Sequence, residues 1–258
     1  MRRLVLLTVV AVVSITAVAY AVTDTLSYSA KLSFKGKPTK AKPANLKYTG
    51  TLHIDTDPPG QQPESAPVTS VYFSKNIKPN AKYFPFCNRG EIDGNATFPA
   101  KCNKAKVGTG TAQALAGSPG NPSTQSVKED LNVTAVNGPS GKNLYLVLNS
   151  QPGAPVAIQN RVVPGTLVKS SGAFGFLVRF TIPQDLQEQL GLAISLTDFN
   201  VVISNSAKTF KVGSKTVKGS YLQLISCKSS LPVKAISAFK DKDTGSPKNV
   251  TNTSSAKC

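Results

Sequence analysis

The sequence predicts an all-β fold: an antiparallel β-sandwich, Ig-like or larger, with about eleven short strands and one short helix. Three observations point there. Apolar residues alternate with polar ones over long runs, which is the period of a sheet with one buried face. Glycine- and proline-rich breaks recur at loop spacing, with 19 glycines and 18 prolines in 258 residues. One segment alone carries helix start and stop signals. At 40% hydrophobic residues the chain can bury a real core.

The alternation is cleanest at the start. Leu26, Tyr28, Ala30, Leu32 and Phe34 share one face, with Ser27, Ser29, Lys31 and Ser33 on the other. Leu46, Tyr48, Gly50, Leu52 and Ile54 repeat the pattern, with Lys47, Thr49, Thr51 and His53 opposite. These two strands predict a hairpin around a loop at 35–44, and they put His53 on the wet face. The prolines of 55–67 mark a loop, and 68–74 reads as the next strand. Residues 78–86 are irregular and aromatic, and 87–102 leaves room for one helical turn. Further strands are expected at 104–114, 127–136, 144–149 and 156–163. Phe174, Phe176, Val178, Phe180 and Ile182 then share a face that should lie against a second layer. Residues 184–190 are the expected helix: Pro183 suits a first turn, Asp185 its N-terminal end, and Gly191 the position past its C-terminus. Strands at 199–203, 208–212, 216–226 and 232–239 complete the domain.

The ends set the compartment. Arg2 and Arg3 precede an apolar run that closes on Ala19-Tyr20-Ala21, the small-x-small pattern that signal peptidase accepts. Residues 1–21 are therefore expected as a signal peptide, or as a membrane anchor if uncleaved, with 22–240 as one sandwich domain. A split into two sub-domains near 137–143 is the alternative. Residues 241–258 read as a polar tail. Cys87, Cys102, Cys227 and Cys258 are even in number, so disulfides are expected in an oxidising compartment. Of the three pairings, Cys87–Cys102 with Cys227–Cys258 closes the shortest loops and would tether the tail. Zinc fits poorly, because no two cysteines have ligand spacing and His53 is the only histidine.

A catalytic inventory is nearly empty. No nucleophile elbow, HExxH or phosphate-binding loop occurs. A Ser-His-Asp relay would need His53. The two S-x-x-K matches, at Ser237 and Ser254, need a helix to share a face, and neither stands in one. Carboxylate chemistry would draw on Glu91 with Asp93, Glu129 with Asp130, or Asp185 with Glu188. Calcium would draw on Asp55 with Asp57, or on Asp93 with Asn95, but neither has EF-hand spacing. No metal and no cofactor is expected.

The formal net charge is +17, with two of the positive charges in Arg2 and Arg3. Lys35, Lys37, Lys40 and Lys42 crowd the first hairpin loop. Lys208, Lys211, Lys215 and Lys218 form a second group, and Lys101, Lys104 and Lys106 flank Cys102. Such clusters attract polyanions over about 8 to 10 Å and release them as salt rises. Lysine acts as a point charge where arginine reads phosphate with a fork, so specific nucleic-acid recognition is not expected.

Two stretches carry a resemblance: HIDTDPPGQQPE from His53, and CNRGEIDGNATFPAKCNKAKVGTGTA from Cys87. They resemble exported β-rich proteins of high-GC Gram-positive bacteria with no assigned activity, in which a Cys…Cys pair precedes a Val-Gly-Thr-Gly-Thr-like run. The resemblance implies a cell-envelope-associated domain and carries no catalytic residue onto this chain. The expected function is therefore non-enzymatic. The protein would be secreted or cell-wall associated, with its eight clustered lysines on anionic envelope polymers or on another envelope protein. A secreted hydrolase is one alternative. Carriage of a small apolar ligand is the other, and it calls for a pocket of at least ~300 Å³.

Overall fold

Strand pairing starts where the alternation is cleanest. In the computed structural model, which describes residues 22–204, 207–212, 214–241 and 244–258, β1 (Thr23–Ser33) and β3 (Lys47–Asp57) pair antiparallel along their full lengths. Leu26 stands opposite Ile54 and Tyr28 opposite Leu52, so both apolar faces fall on one side. The expected leader, residues 1–21, lies outside the described residues.

The remaining strands follow in chain order. They are β2 (Ala44–Asn45), β4 (Val68–Ser74), β5 (Ile77–Pro79), β6 (Lys106–Gly117), β7 (Val127–Asn137) and β8 (Asn143–Ser150). Next come β9 (Arg161–Lys169), β10 (Phe174–Thr181), β11 (Glu188–Gln189), β12 (Leu192–Ile203) and β13 (Lys208–Val212). The last are β14 (Lys215–Gly219), β15 (Leu222–Leu224), β16 (Ser230–Lys240) and β17 (Pro247–Lys257).

The all-β antiparallel reading holds, and its layers turn out to be opposite walls of one sheet. Eleven strands run in the order β1-β3-β12-β6-β7-β8-β9-β10-β4-β16-β17, every neighbouring pair antiparallel, and the sheet curls until it nearly closes. Alternation reports that one face is buried; it does not say whether the covering layer belongs to the same sheet. Because the strand number is odd, the two edge strands β1 and β17 run in the same direction. Side chains bridge them. Tyr28 N–H donates to Asn252 Oδ1 at 3.1 Å, and Ser254 O–H donates to the Tyr28 carbonyl at 2.7 Å. Both backbone edge groups of Tyr28, which would otherwise invite another chain, are thereby occupied. No break falls at 137–143, where β7 and β8 pair across a tight turn.

Apolar side chains fill the inside, and serine, threonine and lysine face outward, the inverse of a barrel built for lipid. A bulge between Leu196 and Asp198 in β12 re-phases that strand, so Leu196 and Phe199 both point inward. Glycines let β6 approach β12 closely: a Cβ at Gly108 or Gly110 would collide with the carbonyl oxygens of Val202 and Asn200.

Three expectations are corrected. Residues 184–190 do not form a helix. A 3-10 turn at Gln184–Leu186 leads into the β11–β12 hairpin, whose two turn residues, Leu190 and Gly191, both have positive φ. Glycine serves a hairpin turn as readily as a helix end, which is why the signals misled. The segment expected as a disulfide-tethered tail has its tether but is not a tail: Pro247–Lys257 is β17, paired with β16 along its whole length. Its run of threonine, asparagine and serine lacks the apolar alternation of a covered strand because much of it faces solvent at the seam. The strand expected at 156–163 begins instead at Arg161.

Both disulfides follow the short-loop pairing, Cys87–Cys102 and Cys227–Cys258. The second fixes the end of β17. The first closes a segment that packs on the outside of the barrel, where Cys87, Ile92 and Cys102 join Val136, Tyr145, Val147 and Val162 in a separate small core.

Candidate functional site

The two ends of the barrel differ. One is plugged by a small sheet, β2-β15-β5, whose Ile77 and Leu224 are buried. The β13–β14 hairpin adds Phe210, stacked on Tyr83 at 4.6 Å, and Phe84 meets Tyr221 edge-on at 5.5 Å. Several buried polar groups in the plug find partners, although Asn80 Oδ1 has none among the described residues. Asn137 Nδ2 donates to the carbonyls of Ala81 and Pro85 at 3.0 Å, and Asn80 Nδ2 to Ser220 O and Gln223 Oε1 at 2.8 Å. Of the aromatics read from the sequence as a possible stacking patch, Tyr83 and Phe84 belong to this plug, while Tyr72 packs edge-on against Phe174. Phe86 alone is well exposed.

Inside, towards the other end, the barrel keeps an apolar chamber of about 180 Å³. Its existence is written in small residues: Gly50, Ala112, Ala114 and Ala116 all line it. Tyr28 and Tyr48 reach in from β1 and β3, and their hydroxyl oxygens lie 2.6 Å apart. Gly50 makes room for them, since a Cβ there would stand 3.1 Å from the Tyr28 hydroxyl. Burial pushes both phenols well above the ordinary tyrosine range. At the rim, Glu129 turns inward; its carboxylate accepts from Ser150 O–H at 2.6 Å and Val156 N–H at 3.3 Å. Asp130, the next residue, points outward and accepts from Gln113 Nε2, so the two carboxylates do not converge. Exposed Val127 and half-exposed Gln189 complete the rim.

The clustered lysines meet at the plugged end. The loop with Lys35, Lys37, Lys40 and Lys42 runs into β2, and Asn45 Oδ1 accepts from Ser220 N–H just beyond the β13–β14 hairpin that carries Lys208, Lys211, Lys215 and Lys218. Lys208 Nζ reaches the Lys104 carbonyl at 3.5 Å, joining the group beside Cys102. The connections at this end, 34–46, 75–86, 138–142, 170–173 and the described residues of 204–229, contain no aspartate or glutamate, and all but 170–173 contain lysine. Asp24, Asp55, Asp57, Glu64, Asp185, Glu188 and Asp241 stand at the opposite end. Sequence reasoning found the clusters but had no signal for their meeting.

The other candidates resolve into structure. Asp93 accepts from Arg161 Nη1 at 2.8 Å and from Val162 N–H, and Arg161 Nη2 donates to Asp185 at 2.8 Å. That network clips the Cys87–Cys102 segment to the barrel wall, and Arg161 holds the Asp185 carboxyl below its usual range. Asp55 caps its own turn through Thr56 N–H and Gly60 N–H. Cys87, Glu91 and Cys102 converge within metal-ligand distance, but a disulfide consumes both sulfurs and leaves no thiolate donor.

His53 calls for closer attention. Its Nδ1 lies 2.8 Å from Asp198 Oδ1 on the neighbouring strand, and Ser27 stands opposite it in the β1–β3 register. Serine, histidine and aspartate thus occupy one row on the outer face. An acyl-transfer site also needs free donors for the oxyanion. Here β3 lies between β1 and β12, so its backbone donors belong to ladders on both sides. With half of each side chain in solvent, the pair is a surface link between strands.

The fold and chamber define a class: an antiparallel β-barrel of polar exterior, plugged at one end and hollow near the other, with two disulfides suited to an oxidising compartment. No helix among the described residues is long and apolar enough to cross a membrane. No family model, curated protein or solved structure matches the chain.

Proposed function

We propose that this is a non-enzymatic, exported protein of the cell envelope that binds an anionic polymer through its lysine-rich, plugged end. The observation that supports this reading is the convergence there of three lysine groups separated by up to 183 positions in sequence, Lys35 to Lys218, where Glu91 neutralises Lys101 and seven acidic side chains stand at the far end. Such a polarised charge orients the molecule on a polyanion and strengthens attraction at one end only. Lysine point charges suit a polymer bound without sequence or shape reading.

The test is sedimentation of the purified protein with isolated cell-wall material and, separately, with polyphosphate, across a salt series. Binding should weaken on the order of tenfold between low and physiological salt. Lys40→Glu with Lys215→Glu should abolish it, and Lys128→Glu with Lys248→Glu, at the other end, should not. Binding indifferent to salt, or equally lost in both double variants, would overturn the proposal.

One observation favours a second reading, a carboxylate hydrolase. Glu64, Glu188 and Asp241 reach one polar depression of about 200 Å³ beside Lys240. Asp24, whose Oδ1 accepts from Glu64 N–H at 2.9 Å, has its carboxyl raised by burial, the condition for a general acid. Turnover of a 4-nitrophenyl glycoside panel that is lost in Asp24→Asn would support this reading; no turnover by the unaltered protein would remove it.

A further inference from the structure

The interior chamber lies outside that role. We infer that it is a binding site for a small apolar molecule carrying one oxygen acceptor, seated with that oxygen on the Tyr28–Tyr48 hydroxyl pair.

Protein cores are close-packed, and voids of this size are few. A chamber of about 180 Å³ compares with an apolar cavity of about 150 Å³ that takes up benzene. It falls short of the ~300 Å³ that a larger ligand needs, so the guest is a single ring or a short chain. Apart from Thr69 and, towards the rim, Glu129, Gln187 and Gln189, the walls are aliphatic and aromatic, which disfavours a charged group deep in the chamber.

The tyrosines supply the polar handle. Two hydroxyls carry two protons, and one hydrogen bond joins the oxygens. Whichever tyrosine donates, the other keeps an O–H with no acceptor among the described residues. A buried donor without an acceptor is costly, and a carbonyl or ether oxygen on the guest would satisfy it. The rest of the guest then points towards the rim, where Val127 is 43% exposed and marks the way in.

Acetophenone and its oxygen-free isostere isopropylbenzene are suitable probes, titrated calorimetrically into the unaltered protein and into Tyr28→Phe/Tyr48→Phe. Both probes should bind the unaltered protein. The ratio of acetophenone affinity to isopropylbenzene affinity should fall about three- to tenfold in the double variant. Comparing the ratio between proteins cancels the probes' different hydration. Retained isopropylbenzene binding shows that the chamber survives the substitutions. If neither probe binds the unaltered protein, or if the ratio is the same in both proteins, the inference falls. Neither substitution alters a charge, so polymer binding at the plugged end is tested separately.

Discussion

Tyr28 and Tyr48 place their hydroxyl oxygens 2.6 Å apart inside the barrel, each the only hydrogen-bond partner of the other's hydroxyl among the described residues. Tyr28 also holds the seam through its backbone, so one residue couples the chamber to the closure of the sheet. Removing one hydroxyl strands the other, whereas removing both leaves nothing unpaired. Tyr28→Phe and Tyr48→Phe should each cost about 1 kcal/mol, and the double variant less than the sum of the two. Urea unfolding measures this; strictly additive costs would show that the hydroxyls do not interact.

Alkaline pH should destabilise the fold. Burial raises Tyr28, Tyr48 and Tyr221 above the ordinary value of 10.0. The unfolded chain therefore gives up these protons first, and stability that is complete below pH 10 is lost as pH rises beyond it. The slope approaches about 1.4 kcal/mol per pH unit for each such group. Phenolate absorbance near 295 nm should lag for these tyrosines until the protein unfolds. Simple titration near pH 10 of every tyrosine in the intact fold would contradict this.

The Cys227–Cys258 disulfide fixes the end of β17, the seam strand. Its removal by Cys227→Ser/Cys258→Ser should cost about 3 to 4 kcal/mol in the loop-entropy account. Amide exchange should rise first along β17 and at Tyr28, whose N–H is bonded to Asn252. A uniform rise across β6, β7 and β8 would mean that the seam is not the weak point.

Close approach of β6 to β12 rests on glycine. Gly110→Ala pushes a methyl group into the Asn200 carbonyl and should destabilise by about 1 to 3 kcal/mol or more. Thermal unfolding near the unaltered value would show that the strands part easily.

Ala114→Leu fills the chamber from its β6 wall. Stability should rise by about 1 kcal/mol, and isopropylbenzene should no longer bind. Unchanged uptake of the probe would place it elsewhere.

Much of this protein was legible before its structure. Alternation at Leu26–Phe34 and Leu46–Ile54 told which faces are buried, because side chains in a strand point to opposite sides by turns. Cysteine spacing pointed to the short-loop disulfides, and β17 was missed because its polar residues carry no such alternation. The sequence by itself determined the all-β class, the strongly alternating strands with their inner faces, and the lysine clusters. Tertiary structure alone decided that one sheet curls round to meet its own edge, that small residues on β6 leave a chamber before Tyr28 and Tyr48, and that lysines far apart in the chain share one end. A residue's period reports its neighbours along the strand. What stands across the barrel depends on sheet curvature and strand order, which no local pattern encodes.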